Sequence, residues 1–290
     1  MFKEQMDLDE DKKEDRKESR KIFQTAALGF FVLVIGAALY YFLIYRRPAK
    51  TAETAEAAPA AVTEKESLPP VQTDVPQIPP VELDKSDELV RQLAAELSAH
   101  PRLGVWLGSE QLIRRFVAAV DNIANGLSPR PHISFFMPDA EYMTIKRGDL
   151  LVADPDGYNR YNPVVDVFVS LDSKKCVSLF RGFKSLLQEA YRDLGYPDED
   201  FEGTLLKAIL ELLRAPVVDG TIVVEKTVIS YKMLDPKLEN LSEAQKHLLR
   251  MGPENVEAIQ KKLREMALAL GAPETRLPQA RYYTPPVGLS

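Results

Sequence analysis

The chain has 290 residues, of which 43 are acidic and 37 basic, and 45% of its residues are hydrophobic. The net charge of −6 argues against a general nucleic-acid-binding protein, because such proteins normally carry a basic excess. A single cysteine, Cys176, excludes an intramolecular disulfide and a cysteine-clustered metal site. The three histidines are scattered, and we expect neither a bound metal ion nor a cofactor.

An uncharged stretch of 24 residues, 22–45, dominates the N-terminal part of the chain. Because about 20 apolar residues cross the hydrocarbon core of a bilayer, this stretch predicts a transmembrane helix. A buried core helix is the first alternative, but core helices of this length usually have a polar face. A cleavable signal peptide is the second, and its apolar region is usually only ~7–15 residues long.

Basic residues flank the stretch unevenly, with six close before it and three after it. The positive-inside rule therefore places the N-terminus in the cytoplasm and most of the chain outside it, although Arg46 and Arg47 lie directly at the second interface. The expected partner of residues 22–45 is the lipid bilayer. In a bacterium, this topology puts the bulk of the chain in the periplasm.

Differences in composition divide the rest of the chain into a charged tail, a linker, a globular part and a second tail. Residues 1–21 form a charged tail on the cytoplasmic side, and residues 46–83, with seven prolines and seven alanines, form an extended or disordered linker. Residues 84–270 form the globular domain, and a proline-containing tail covers 271–290. The predicted fold class is mainly α with a small β component: one N-terminal transmembrane helix, a linker and a helix-rich domain.

Helical periodicity accounts for most of the globular part. A helix is predicted to begin after the cap Ser86, and a second, capped by Ser109, ends near Gly126. A third helix follows the cap Asp172 and ends at Gly195, and a fourth runs over 198–214.

Two regions favour β structure. Residues 132–158 predict a short hairpin with its turn at 146–149, and the β-branched residues of 221–233 predict a strand. Between these regions, Asp166 is interpreted as a turn residue.

The last two helices meet at a sharp corner. Ser242 and Gln245 form a capping box for the first of them, and Pro253 begins the second, which ends at Leu270. Gly252 is expected to close the first helix in a left-handed conformation, so that Gly252→Val would cost roughly 1 kcal/mol or more. Asn255 is expected to hydrogen-bond back across the turn.

Motifs for nucleotide binding, for serine hydrolases and for zinc proteases are not found in the sequence. An enzyme that uses two carboxylates as acid and base remains open, because such a pair has no compact sequence signature. Cys176 is either a nucleophile or a buried small side chain, and its place on an apolar helix face favours burial. His247 is expected to be solvated rather than catalytic.

Three groups of polar residues are candidates for binding. Arg114 and Asp121 share one ridge of a helix, as a half-buried ion pair or a ligand-binding pair. Tyr158, Arg160 and Tyr161 cluster in a loop that would either hold a sugar or an anionic group or simply pack on the surface. The third group, Glu254 and Asn255 at the helix corner, either stabilises that corner or faces a partner.

Four blocks of the chain resemble the bacterial family of domain of unknown function 3014. The blocks are LIRRFVAAVDNIANG (112–126), RYNPVVDVFVSLD (160–172), LLQEAYRDLGYP (186–197) and LSEAQKHLLRMGPEN (241–255). The resemblance implies a Gram-negative, single-pass protein of the cytoplasmic membrane with an extracytoplasmic domain, and it supplies no catalytic residues. The chain departs from the family pattern at LLRAPVV (212–218), where Arg214 replaces a small residue.

These observations together predict an envelope protein whose helix-rich periplasmic domain binds another protein or an envelope polymer. The alternative is an extracytoplasmic enzyme, such as a carboxylate-based hydrolase. The sequence does not indicate the partner's identity or the oligomeric state.

Overall fold

Helices make up most of the domain. The computed structural model describes residues 75–133, 142–228 and 230–286, and 56% of this part is helical. None of its helices has both the length and the apolar composition needed to cross a bilayer. The predicted membrane segment 22–45, the tail 1–21 and most of the linker 46–83 lie outside the described residues.

The secondary structure follows in chain order. The α-helices of the described part are α1 (Asp87–Ala94), α2 (Leu103–Leu107), α3 (Leu112–Ala124), α4 (Asn162–Ser170), α5 (Ser173–Gly182), α6 (Lys184–Asp193), α7 (Phe201–Leu213), α8 (Pro236–Glu239), α9 (Glu243–Leu249) and α10 (Pro253–Leu270). The strands are β1 (Thr144–Arg147), β2 (Leu150–Ala153), β3 (Val217–Val218), β4 (Val224–Lys226), β5 (Tyr231–Met233) and β6 (Tyr282–Tyr283). The mainly α fold with small sheets is confirmed.

The start of α3 is fixed by a residue of α1. The carboxylate of Asp87 accepts hydrogen bonds from the backbone N–H of Gln111 at 2.7 Å and of Leu112 at 2.9 Å. Gln111 occupies the N-cap position in a left-handed conformation, with φ of 56°. The prediction that Ser109 caps this helix is therefore wrong, because a distant carboxylate satisfies the free N–H groups instead.

The predicted helix 172–194 is two helices. Asp172 caps the first as predicted, since its carboxylate accepts from the N–H groups of Lys174 and Lys175. The chain then bends at Phe183, whose ring is buried in the core beside α3. Gly182 at the bend lies against the N-terminal segment, and a Cβ there would come within 3.1 Å of Pro76.

Helix α4 was not predicted. Asp166, interpreted as a turn residue, lies within this helix and is exposed. The segment is rich in valine, which has no strong helix propensity, so its sequence alone does not indicate a helix. Burial of Val165 and Val167 against neighbouring helices stabilises it instead.

The β structure consists of three two-stranded pairs in the described residues. The predicted hairpin is confirmed as β1–β2, with Ile145 opposite Val152. The predicted strand 221–233 is instead a second hairpin, β4–β5.

The third pair brings the C-terminal segment onto the domain. Strand β6 runs parallel to β3, with Tyr282 opposite Val217. The Tyr283 hydroxyl donates to the carboxylate of Asp235 at 2.6 Å, and the Arg281 guanidinium donates to the carbonyl of Arg214. Ordered contacts therefore continue beyond Leu270, where the sequence had placed the end of the globular part.

Helix α10 packs at the centre of the larger core. Its Val256, Ile259, Leu263 and Ala267 are buried against α4, α5 and α7. Gln260 on the same helix is also buried, and its Nε2 donates to the carbonyls of Leu212 at 3.0 Å and Ala215 at 2.8 Å. The Ala215 carbonyl, just beyond the end of α7, thus gains a donor, and the Leu212 carbonyl accepts from Gln260 in addition to the Ala215 N–H at 3.2 Å.

Candidate functional site

The tyrosine–arginine cluster predicted from the sequence forms around a 3-10 helix, Pro155–Tyr161, that precedes α4. The Arg160 guanidinium lies 4.7 Å from the ring centre of Tyr161 and 5.4 Å from that of Tyr142. It also donates a hydrogen bond to the Tyr161 hydroxyl at 3.1 Å. Tyr161 is buried, so stacking on aromatic faces fixes the position of this arginine.

Tyr158 packs directly on the helix corner. A Cβ built on Gly252 would lie 2.5 Å from two ring atoms of Tyr158, which is far inside van der Waals contact. Gly252 has φ of 89° and ψ of 160°, a backbone conformation that is essentially restricted to glycine. The predicted positive φ is confirmed, but the conformation is extended rather than left-handed helical. It places Gly252 at the N-cap of α10.

Asn255 joins this corner to the cluster. Its Nδ2 donates to the Met251 carbonyl at 2.9 Å and to Oδ1 of Asn162 at 3.0 Å, and it lies 3.5 Å from the Tyr158 carbonyl. The predicted bond back across the turn is confirmed. Glu254 beside it is exposed in the first turn of α10. The two candidates thus differ: Asn255 stabilises the corner, and Glu254 faces solvent.

Burial raises the pKa of two phenols of the cluster above their ordinary value. Desolvation raises the pKa of Tyr142 strongly, and Tyr158 raises it further, whereas Arg250 and Arg160 oppose the shift. Desolvation also raises the pKa of Tyr158, with a contribution from Asp154 and an opposing one from Arg160. Both hydroxyl groups therefore remain hydrogen-bond donors at neutral pH.

A polar pair that the sequence did not reveal joins the loop after α3 to α9. The hydroxyl of Ser128, in the loop after α3, is 2.8 Å from Nε2 of His247 on α9. Burial lowers the pKa of His247, and the positive charges of Arg250 and Arg130 lower it further. The prediction of a solvated His247 is wrong, since the ring is half-buried and bonded. Ser128 and His247 are far apart in the chain, and no short-range sequence pattern relates them.

The predicted pair of Arg114 and Asp121 does not form. Arg114 pairs with Asp193 at 2.6 Å and Asp84 at 3.0 Å, and these carboxylates raise its pKa. Asp121 is buried and accepts from Asn125 at 3.0 Å and, at 3.5 Å, from Tyr196. The two residues share a ridge of α3, as expected, but Arg114 pairs with carboxylates outside this helix, and the shortest bond of Asp121 is to Asn125, the C-cap residue of the same helix.

The other chemical candidates are also placed by the structure. Cys176 packs beside a small apolar cluster, and desolvation raises the pKa of its thiol to about 11, so the thiol is protonated at neutral pH. In the part of the chain that is described, there is no group of three His, Cys, Asp or Glu residues that could hold a metal ion.

Comparison with known proteins gives one match. A family model described as "Protein of unknown function (DUF3014)" covers residues 112–267, which is more than half of the chain. The match runs from α3 into α10 and includes the cluster, the helix corner and the Ser128–His247 pair. Neither a curated protein nor a solved structure matches the chain. On the strength of the family match, the chain belongs to the DUF3014 family.

Proposed function

We propose that this protein is a single-pass protein of the bacterial cytoplasmic membrane whose periplasmic domain binds a protein or a polymer of the envelope. The uncharged segment 22–45 and the basic residues before it support the anchor and its orientation. The linker 46–83 gives the domain reach from the bilayer. The domain is the part that binds.

The observation that carries this proposal is the surface at the helix corner. We define the corner surface as Tyr158, Arg160, Arg250, Glu254 and Asn255. Tyrosine and arginine are enriched at protein interfaces, because they combine a large contact area with polar groups that fix orientation. The corner surface combines both types with an exposed carboxylate.

The corner surface is also rigid. Tyr158 is held against Gly252, Arg160 is stacked on two rings, and Asn255 donates to two different segments. Binding therefore costs little side-chain entropy at these positions, which favours affinity. A surface ordered in this way suits recognition better than a set of free side chains would.

Several arginines lie in this region of a chain whose net charge is negative. The whole chain has a net charge of −6, yet Arg160 and Arg250 act together on Tyr142, and Arg250 and Arg130 act together on His247. A local excess of positive charge selects partners that carry negative groups. We therefore expect the bound protein or polymer to be acidic where it meets the corner surface.

Site-specific photocrosslinking in living cells tests the proposal. A photoreactive residue would replace Asn159 or Glu254, both exposed at the corner, and Glu88 on α1 as a control, where the carboxylate side chain is 88% exposed. We expect one defined crosslinked species from both corner positions and not from the control. The same species from all three positions, or none from the corner, would contradict the proposal.

A further inference from the structure

Residues 279–286 cross the surface of the domain as a strap, which we call the C-terminal strap. Its strand β6 lies parallel to β3. The N–H group of Val217 donates to the carbonyl of Arg281 at 2.8 Å. The N–H group of Asp219 donates to the carbonyl of Tyr283 at 3.0 Å. The strap therefore adds a strand to the edge of β3, which is one of the ways in which an extended peptide binds to a folded domain.

Tyr283 is the side chain that anchors the strap. Its hydroxyl donates to the carboxylate of Asp235 at 2.6 Å, and Asp235 is buried. The Lys237 amine lies 5.4 Å from the centre of the Tyr283 ring, and the ring packs against a buried cluster that includes Val218. The neighbouring Tyr282 is 67% exposed, as expected from the alternation of side chains along a strand. An aromatic ring that packs on an apolar cluster and satisfies its hydroxyl is typical of the contacts that dominate binding.

The rest of the strap has little buried surface. Of residues 279–286, Pro285 is buried and Tyr283 is half-buried, whereas the other six are exposed. Leu277, just before the strap, is buried in the larger core and fixes the chain up to that point. Segments with few buried apolar contacts open at a small cost in free energy while the rest of a domain stays folded. The strap can therefore leave β3 without unfolding the domain.

We propose that the edge of β3, together with Asp235 and Lys237, is a groove that binds an extended segment of a partner protein, with a tyrosine at the position of Tyr283. The C-terminal strap occupies this groove as a built-in competitor. The groove lies within residues 112–267, which the family model covers, whereas the strap follows them. This inference rests on the proposed function, since it names a second contact of the partner, made by residues outside the corner surface.

A partner protein fits this groove better than a second copy of the chain does. Two copies that exchanged their straps would form the same contacts as before and would also lose the entropy of association. A partner that is already bound elsewhere on the domain presents its segment at a high effective concentration, which offsets the competition of the strap.

Peptide binding to the full chain in a non-ionic detergent tests the groove. The probe is a synthetic peptide with the sequence of residues 279–286 and a fluorescent label, whose anisotropy measures binding. We expect weak, saturable binding to the wild-type chain, because the strap competes. The affinity should be at least about tenfold higher for Tyr283→Ala, whose strap has lost its anchor. Gln279→Ala changes an exposed residue of the same strap and is the matched control, with the wild-type affinity.

Two further changes assign the binding to the groove. A peptide with phenylalanine in place of the tyrosine that corresponds to Tyr283 should bind to Tyr283→Ala at least about tenfold more weakly, because it cannot donate to Asp235. Asp235→Asn, added to Tyr283→Ala, should weaken binding of the unchanged peptide, while asparagine still accepts from the Lys237 N–H and keeps the cap of α8. Circular dichroism melts verify the fold of each variant. If Tyr283→Ala is unfolded, Tyr283→Phe removes the hydroxyl alone and should raise the affinity in the same direction.

Three results of the peptide experiment would overturn the groove. They are no saturable binding to a folded Tyr283→Ala or Tyr283→Phe chain, equal affinities of the wild-type, Tyr283→Ala and Gln279→Ala chains, and equal binding of the tyrosine and phenylalanine peptides. Sedimentation of the wild-type chain adds a fourth, because a dimer that Tyr283→Ala separates would assign the groove to a second copy. Any of these with intact crosslinking at the corner would leave the proposed function standing, whereas peptide binding without site-dependent crosslinking would contradict the proposed function alone.

Discussion

The substitution Gly252→Ala adds a single methyl group at the position where the structure leaves no space. Its backbone, with φ of 89° and ψ of 160°, costs a non-glycine residue about 1–3 kcal/mol. The new Cβ would lie 2.5 Å from the Tyr158 ring, and relieving such overpacking costs a further 1–3 kcal/mol or so. We expect Gly252→Ala to lower the free energy of unfolding by about 2–6 kcal/mol, compared with about 1–3 kcal/mol from backbone strain alone.

Urea unfolding of the full chain in detergent, followed by circular dichroism, measures this change. Gly148→Ala is the matched control, because Gly148 has φ of 59° and open space around it. It should cost only about 1–2 kcal/mol, the backbone cost of a left-handed conformation. Equal losses in Gly148→Ala and Gly252→Ala would refute the steric part of the argument.

A double-mutant cycle then assigns the clash to its partner. Tyr158→Ala removes the ring that the new methyl group would meet, so the double variant should be more stable than the sum of the two single losses predicts. We expect a coupling of about 1 kcal/mol or more in the free energy of unfolding. Additive losses would mean that Tyr158 and Gly252 do not constrain each other in solution.

Three further predictions concern stability and topology. Burial and the charges of two arginines lower the pKa of His247 below its ordinary 6.5, so the unfolded chain takes up the proton at a higher pH than the folded protein does. The contribution of His247 to the free energy of unfolding is therefore present above about pH 6.5 and is lost as the pH falls. His247→Gln should reduce the change in the urea midpoint between about pH 7.5 and pH 5. Gln260→Leu leaves the Ala215 carbonyl without a donor, while the Leu212 carbonyl still accepts from the Ala215 N–H, and it should lower the free energy of unfolding by about 1–3 kcal/mol. Gln92→Leu, at an exposed position of α1, should change the free energy of unfolding little. A reporter that is active only in the periplasm should be active when it is fused after Ser290, a position that leaves the pairing of β6 intact. Activity of a cytoplasmic reporter at the same position would contradict the proposed orientation.

Features governed by neighbours in sequence were predictable. The Ser242–Gln245 capping box forms with both of its hydrogen bonds, and Asp172 caps the helix that follows it. Pro253 begins α10 as expected. In each case the residues that decide the geometry lie within one helical turn, so their spacing carries the information.

Features governed by distant residues were not predictable. Asp87 replaces Ser109 as the cap of α3, and Asp193 and Asp84 replace Asp121 as partners of Arg114. A single sequence shows which side chains share a helix face, but not which other element packs against it.

The candidate site divides in the same way. The sequence placed Tyr158, Arg160 and Tyr161 together because they are adjacent, and it placed Asn255 at a turn. It gave no sign that Tyr158 and Asn255 touch, or that Ser128 meets His247, because each pair joins distant segments. Such contacts depend on the arrangement of α3, α9 and α10 in the finished fold.

The most direct test of the account compares crosslinking with fold stability in one experiment. A photoreactive residue at position 254 is combined with Arg250→Gln in cells, with Arg192→Gln as the control, and the melts of both variants are measured. The account predicts that Arg250→Gln loses the crosslinked species while its melt stays unchanged, and that Arg192→Gln keeps both. Undiminished crosslinking in a folded Arg250→Gln variant would contradict the claim that the basic corner of this domain is where the protein binds.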